Sequence, residues 1–166
     1  MNDIDILKKI EKKVLWLACW MIHNANHIRE NQDGLKVGGH QASSASIVSI
    51  MTALYFNILR PEDRVAVKPH ASPVFHAIQY LSGLQTKEKI ENFRGFGGAQ
   101  SYPSRTKDID DVDISTGSVG LGVAMTSFIS LIQDYVARKN FYKNKPLGRM
   151  IALVGDAELD EGNVYE

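Results

Sequence analysis

Met150-Ile-Ala-Leu-Val-Gly-Asp-Ala-Glu-Leu-Asp-Glu-Gly162 reads as an apolar strand that runs into a glycine, an aspartate and an acidic turn. Five consecutive residues without a polar side chain predict a strand buried on both faces, the pattern of a parallel sheet covered by helices. In such sheets ligands bind beyond the carboxyl ends of the strands, which is where Gly155-Asp156 falls. One carboxylate there suits Mg²⁺, whose other positions go to phosphate oxygens and water. The competing reading of Asp156 is a helix cap. Glu158, Asp160 and Glu161 likewise read as a solvated helix entrance or as a coupled acidic set.

Upstream, Thr116-Gly-Ser-Val-Gly-Leu-Gly122 opens a long apolar helix that reaches about Arg138. Glycines let backbone N–H groups approach an anion, and a helix N-terminus favours negative charge, so phosphate is the natural ligand. Close helix packing explains the same glycines equally well. Residues 95–116 hold three glycines, Pro103 and a mixed-charge run, and so long a loop points to function or disorder. A short strand is expected at Val65-Ala-Val67, then a helix capped by Ser72 with Pro73 in its first turn. Thr86 opens another short helix.

Nearer the N-terminus, Leu7, Val14, Met21 and Ile28 recur every seven residues and predict one helix from about 3 to 30. A turn follows at 31–34, and a second helix is expected from about 44 to 59. Polar residues at 140–146 make a connection. Helices alternating with short buried strands give an α/β fold, a doubly wound, mostly parallel sheet with helices on both faces.

Composition narrows the function classes. The chain has 166 residues with 19 basic and 19 acidic side chains, 44% apolar and 23% charged. No basic excess points to nucleic acid. The apolar run Val14–Ile22 is too short to span a bilayer, so no membrane role is expected. Cys19 stands alone, which excludes an internal disulfide and a Cys-rich zinc site and suits a reducing cytoplasm. His40 follows two glycines and His70 lies at a strand end, so both can face a cleft. His76 falls inside a helix, where packing explains it better. His23 and His27 stand four apart without a third ligand, which favours a solvated pair over a metal site. Trp16 and Trp20 are expected in the core.

Six pieces in order carry a resemblance: Gly39-His40, His70-Ala-Ser72, Asn92-Phe-Arg94, Ser101-Tyr-Pro103, Gly117-Ser-Val-Gly-Leu-Gly122 and Gly155-Asp-Ala-Glu-Leu-Asp-Glu161. Together they resemble the N-terminal thiamine-diphosphate (ThDP) domain of the transketolase superfamily, with closer similarity to the homodimeric pyruvate dehydrogenase decarboxylating component. The resemblance implies a ThDP- and Mg-dependent enzyme of ketol transfer or 2-oxoacid decarboxylation, whose substrate is a sugar phosphate or a 2-oxoacid. It further implies a homodimer of the complete protein and, for the decarboxylating type, a lipoyl-bearing partner. A non-catalytic ThDP-binding relative is the reading from another class.

By the same resemblance Asp156 is the Mg ligand, with Gly155 and Ala157 beside the diphosphate. His70 and Ser72 lie near the diphosphate and thiazolium, and His40 faces cofactor and substrate. Gly117, Ser118 and Val119 meet the aminopyrimidine and diphosphate. Glu161 belongs to an acidic path between two active sites. His40, His70 and Glu161 thus carry the implied catalytic roles. Ala157 replaces the family's usual glycine, and Ser104 stands where relatives place a histidine. The Asn that closes the metal motif and the glutamate that activates the cofactor are expected outside residues 1–166. The resemblance therefore makes this chain the first part of the diphosphate domain, divided within the metal motif, with the remaining domains elsewhere.

Overall fold

A computed structural model describes residues 3–30, 34–141 and 146–165. The elements are α1 (Asp3–His23), α2 (Gln41–Ala45), α3 (Val48–Ala53), β1 (Arg64–Ala66), α4 (Ser72–Leu81), α5 (Lys87–Glu91), α6 (Leu121–Arg138) and β2 (Met150–Ala152). The architecture is mixed α/β and mostly helical around a small two-stranded parallel sheet. Among the described residues no helix is long and apolar enough to cross a membrane.

The heptad spacing of the first helix holds at Val14 and Met21, which are fully buried, while Ile28 falls beyond α1 and is exposed. Val14, Leu17 and Met21 of α1 are buried with Met51 of α3 and with Val74, Phe75 and Ile78 of α4. A π turn, Asn24–Ile28, ends the helix. The helix expected over 44–59 is broken into α2, α3 and a π turn at Leu54–Ile58. At the break the Ser46 hydroxyl donates to the Ser43 carbonyl (2.9 Å). Serine bonds of this kind compete with the helical ladder, and Ile47 leaves helical geometry at φ −111°, ψ 1°.

Two further expectations are corrected. Ser72 does not cap α4, because a 3₁₀ turn at Pro69–Ala71 precedes it and Ser72 is the first residue of the helix. Of the two tryptophans expected in the core, Trp20 is half-buried and packs against it, and Trp16 does not. Trp16 is 60% exposed and stacks on Trp20 with ring centroids 6.4 Å apart. Thr86 caps α5 as expected, accepting a bond from the Lys89 N–H (3.3 Å). The turn expected at 31–34 and the connection at 140–146 lie largely outside the described residues.

β1 pairs with β2 in parallel, with Val65 opposite Ile151 and Ala66 opposite Ala152. Ala66 also bridges Ile114 in parallel, so β1 lies between that segment and β2. Alternation along β1 sends Val65 and Val67 into the helical core. Ala66 faces the start of α6, where a Cβ on Gly122 would lie 3.4 Å from its methyl.

The register is held at the strand starts by Asp63. This buried carboxylate accepts from the backbone N–H of Arg149 (2.8 Å) and of Arg60 (2.9 Å). The Arg149 guanidinium donates to it as well. Gly148 is required beside it, since a Cβ there would sit 1.8 Å from the Glu62 carbonyl oxygen.

Hydrogen bonds from Arg149 hold the Asp63 carboxyl well below the usual carboxylate range, against the opposing effect of burial. A carboxyl depressed on folding contributes stability above its unfolded pKa of about 3.9. That contribution is lost as pH falls below this value towards the folded pKa. Asp63→Asn is expected to lower the melting midpoint at neutral pH by about 5 °C and to flatten the acid limb of the stability profile. Thermal melts followed by circular dichroism from about pH 2.5 to about pH 7 check this, and superimposable profiles for the two proteins would remove Asp63 as the clamp.

Candidate functional site

Beyond the carboxyl ends of β1 and β2 lies a cleft with an empty volume of 190 Å³, lined by Lys68, Thr116, Gly117, Gly120 and Glu158 among others. The Thr116 hydroxyl donates to the Val67 carbonyl (2.8 Å), which fastens the glycine loop to the end of β1. Gly120 precedes α6 with φ 74°, a left-handed conformation that favours glycine. A Cβ on it would approach Val164 Cγ2 to 2.7 Å. The acidic segment therefore packs directly on the helix start. The Asn163 side-chain amide adds a bond to the Val119 carbonyl (2.8 Å).

One backbone donor at the edge of this cleft already holds a carboxylate. Gly155 N–H donates to the Glu158 carboxylate (2.7 Å), and Lys68 Cδ lies 3.9 Å from the place a Gly155 Cβ would take. Glycine backbone, the start of α6 and one lysine are a donor set that fits the oxygens of a diphosphate. Asp156 stands next to Gly155, exposed, with no side-chain bond to the 3₁₀ turn Ala157–Asp160 that it precedes. The capping alternative thus finds no hydrogen bond. Among the described residues no three His, Cys, Asp or Glu side chains converge on a metal site. One exposed carboxylate at this place could supply one oxygen of a Mg²⁺ shell.

A second cleft, of 610 Å³ and open to solvent, brings His40 and His70 together with Gly39, Arg94 and Tyr102. Lys68 lines the first cleft and His70 the second, so the turn after β1 separates them. The Gly-Gly-His approach is fixed by the end of α1. Asn26 Oδ1 accepts from Gly38 N–H (2.7 Å), and its amide donates to the Gly39 carbonyl (3.2 Å). A Cβ on Gly38 would meet the Ile22 carbonyl oxygen at 2.5 Å. Arg29 donates to the Phe93 carbonyl (2.8 Å), tying down the segment that carries Arg94.

Residues 95–116 form an irregular but bonded loop. The Asp108 carboxylate accepts from the Gln100 N–H (2.9 Å) and the Ser104 N–H (2.8 Å). His76 is buried, as packing on its helix suggests. Its Nε2 faces the Gln100 carbonyl (2.8 Å) and its Nδ1 faces Asp110, which also accepts from the Gln85 side chain. This chain of bonds holds the loop that presents Tyr102. His23 and His27 are an exposed, tilted pair with centroids 5.1 Å apart.

The expected site residues therefore divide between two places. Gly117 lines the first cleft, with Ser118 and Val119 exposed beside it. Gly155, Asp156 and Ala157 follow Val154, which lines the same cleft. Glu161 is half-buried, its Cβ 3.5 Å from the place a Gly120 Cβ would take. His40 and His70 line the second cleft, and Ser72 is fully buried with a hydroxyl that finds no partner among the described residues. Lys68 and Glu158 in the first cleft and Tyr102 in the second were not singled out for these places. Lys68 carried a usable signal, a cation directly after an apolar strand.

The family profile described as Transketolase, thiamine diphosphate binding domain, matches residues 37–166. The pyruvate dehydrogenase E1 component of Mycolicibacterium smegmatis is 27% identical over 171 residues, covering 96% of this chain and 18% of that protein. The Pseudomonas aeruginosa protein of the same name is 30% identical with the same coverage, and the one from Escherichia coli K12 is 26% identical over 169 residues. The chain thus spans about one fifth of the length of these relatives.

Gly120→Ala combines backbone strain with a clash against Val164. It is expected to cost about 1–3 kcal/mol and to speed amide hydrogen exchange across 157–164. Exchange measured by mass spectrometry checks this, and unchanged protection there would mean that the acidic segment does not rest on Gly120.

Proposed function

Because this chain belongs to the transketolase thiamine diphosphate binding domain family, we propose that it forms the diphosphate anchor of a ThDP-dependent enzyme acting at a carbonyl carbon. The observation that carries this reading is the cleft beyond β1 and β2, where Gly155 N–H already holds a carboxylate beside Lys68 and the glycine loop. The two parallel strands are then the centre of a larger doubly wound sheet.

In this reading Asp156 holds Mg²⁺, while Gly155, Ala157, Gly117, Ser118 and Val119 surround the diphosphate and the ring next to it. Gly155 N–H, which now donates to Glu158, and Lys68 would be the donors available to a bound diphosphate. When bound, ThDP supplies the carbon that attacks the substrate carbonyl, and the protein supplies orientation and electrostatics. His40 and His70, with Ser72 buried behind the same turn, face the substrate side and hold or move protons on substrate oxygens. Glu161 couples the site to a second subunit of a homodimer.

Relatives named pyruvate dehydrogenase E1 component support a 2-oxoacid as substrate and a lipoyl-bearing partner as acceptor. The family profile supports ketol transfer between sugar phosphates as the second reading.

Asp156→Ala is expected to weaken Mg²⁺-dependent ThDP binding at least about tenfold, since it removes the carboxylate assigned to the metal. The melting midpoint should not move, because Asp156 is exposed and makes no capping bond. Titration calorimetry with and without Mg²⁺ reads the difference, and equal ThDP affinity in the variant would sink the assignment.

A further inference from the structure

Arg94 combines three departures from ordinary side-chain placement. Its backbone adopts φ 59°, a left-handed conformation seldom taken by residues other than glycine. Its buried Nε has no hydrogen-bond partner among the described residues. Its guanidinium lines the cleft of His40 and His70 and is held there, with Nη1 donating to the Val37 carbonyl (2.8 Å) and Cζ 5.3 Å from the Phe93 ring centroid.

None of these follows from packing needs alone. A strained backbone persists only where its surroundings impose it, and here they do. Arg94 N–H donates to the Ala99 carbonyl (2.8 Å), closing the glycine turn. The guanidinium lies against Gly39, where a Cβ would come within 3.2 Å of Nη1. Gly39 itself has φ 85°. Two unusual backbone conformations thus meet to admit one cation beside two imidazoles and a phenol. Among the described residues no carboxylate lines the cleft. Burial pulls the Arg94 pKa below its ordinary value, yet a guanidinium stays charged in proteins. A held, under-bonded cation among hydrogen-bonding side chains suits an oxyanion, and its planar fork matches a carboxylate or a phosphate.

We infer that Arg94, with His40, His70 and Tyr102, forms a subsite for the oxyanion group of the substrate, separate from the diphosphate cleft at Lys68 and Gly117. The inference rests on the ThDP reading and adds to it which residues take the charged end of the substrate. That end is a carboxylate if the substrate is a 2-oxoacid and a phosphate if it is a sugar phosphate. Arg94 acts by binding and orienting, and no bond is made or broken at it.

The test follows the imidazole C–H signals of His40 and His70 by NMR while the chain is titrated with pyruvate, with inorganic phosphate and with neutral pyruvamide. Saturable shifts of both rings are expected with pyruvate or phosphate and none with pyruvamide. The stronger of the two anions identifies the group recognised. Arg94→Gln should weaken that binding at least about tenfold, and Arg94→Lys should retain part of it. Rings that do not respond, pyruvamide binding as well as pyruvate, or unchanged affinity in Arg94→Gln would each overturn the subsite. The wild-type comparison stands even if the variant fails to fold. Titrating the same samples with Mg·ThDP and following the Gly117 and Gly120 amides keeps the two claims apart. Amides that respond while the rings ignore anions leave the cofactor reading standing alone, and the reverse outcome leaves the subsite without that cofactor.

Discussion

A carboxylate shut off from water ties the starts of two parallel strands together. Asp63 accepts from the backbone and the guanidinium of Arg149 across the join, and Gly148 lets the two backbones pass close enough for it to do so. Removing one partner of such a pair would strand a buried charge or its donors. The bond also sets register. With Arg64 opposite Met150, Ala66 reaches its end level with Ala152, so Lys68 and Gly155 emerge side by side. Parallel strands have no tight turn to align them, and here one side chain takes over that task.

From that alignment the two clefts follow. On one side of the turn after β1, backbone donors, a lysine and the start of α6 gather where a polyanion can lie. On the other, two histidines, an arginine and a tyrosine face open space. The supporting bonds come from far along the chain. Asn26 and Arg29 at the end of α1 position the Gly-Gly-His and Asn-Phe-Arg segments. The buried His76–Asp110–Gln85 set anchors the long loop. Helices that fill the core with Phe75 and Met21 thus also hold the polar segments that can meet ligands. A rigid scaffold beneath loop-borne polar groups is the usual economy of an α/β site.

Much of this was legible in the sequence where a physical period or a turn preference was strong. The heptad over 3–30, the Thr86 cap and the glycine loop opening α6 all left clear marks. What failed were places where a local competitor outweighed the pattern. Ser46 bonding to Ser43 divided an apparent single helix, and the 3₁₀ turn at Pro69 displaced Ser72 from the cap. Trp16 lies outside the core because α1 turns that position outward, which no apolar count reveals. Arg94 was visible as a basic residue in a motif. Its strained backbone and its meeting with His40 depend on contacts more than fifty residues apart, as its bond to Val37 shows. Lys68 and Glu158 were legible only once the two strands were known to end together.

The proposed function requires a metal-bound diphosphate between the glycine loop and Asp156. Manganese substituted for magnesium tests it directly, because its unpaired electrons broaden nearby amide signals. With Mn·ThDP added, broadening should centre on residues 116–120 and 154–158. The amides of α5, Lys87–Glu91, should stay sharp, and Asp156→Ala should abolish the pattern. Broadening centred on the exposed His23 and His27, or spread evenly over the carboxylates of the surface, would contradict the account.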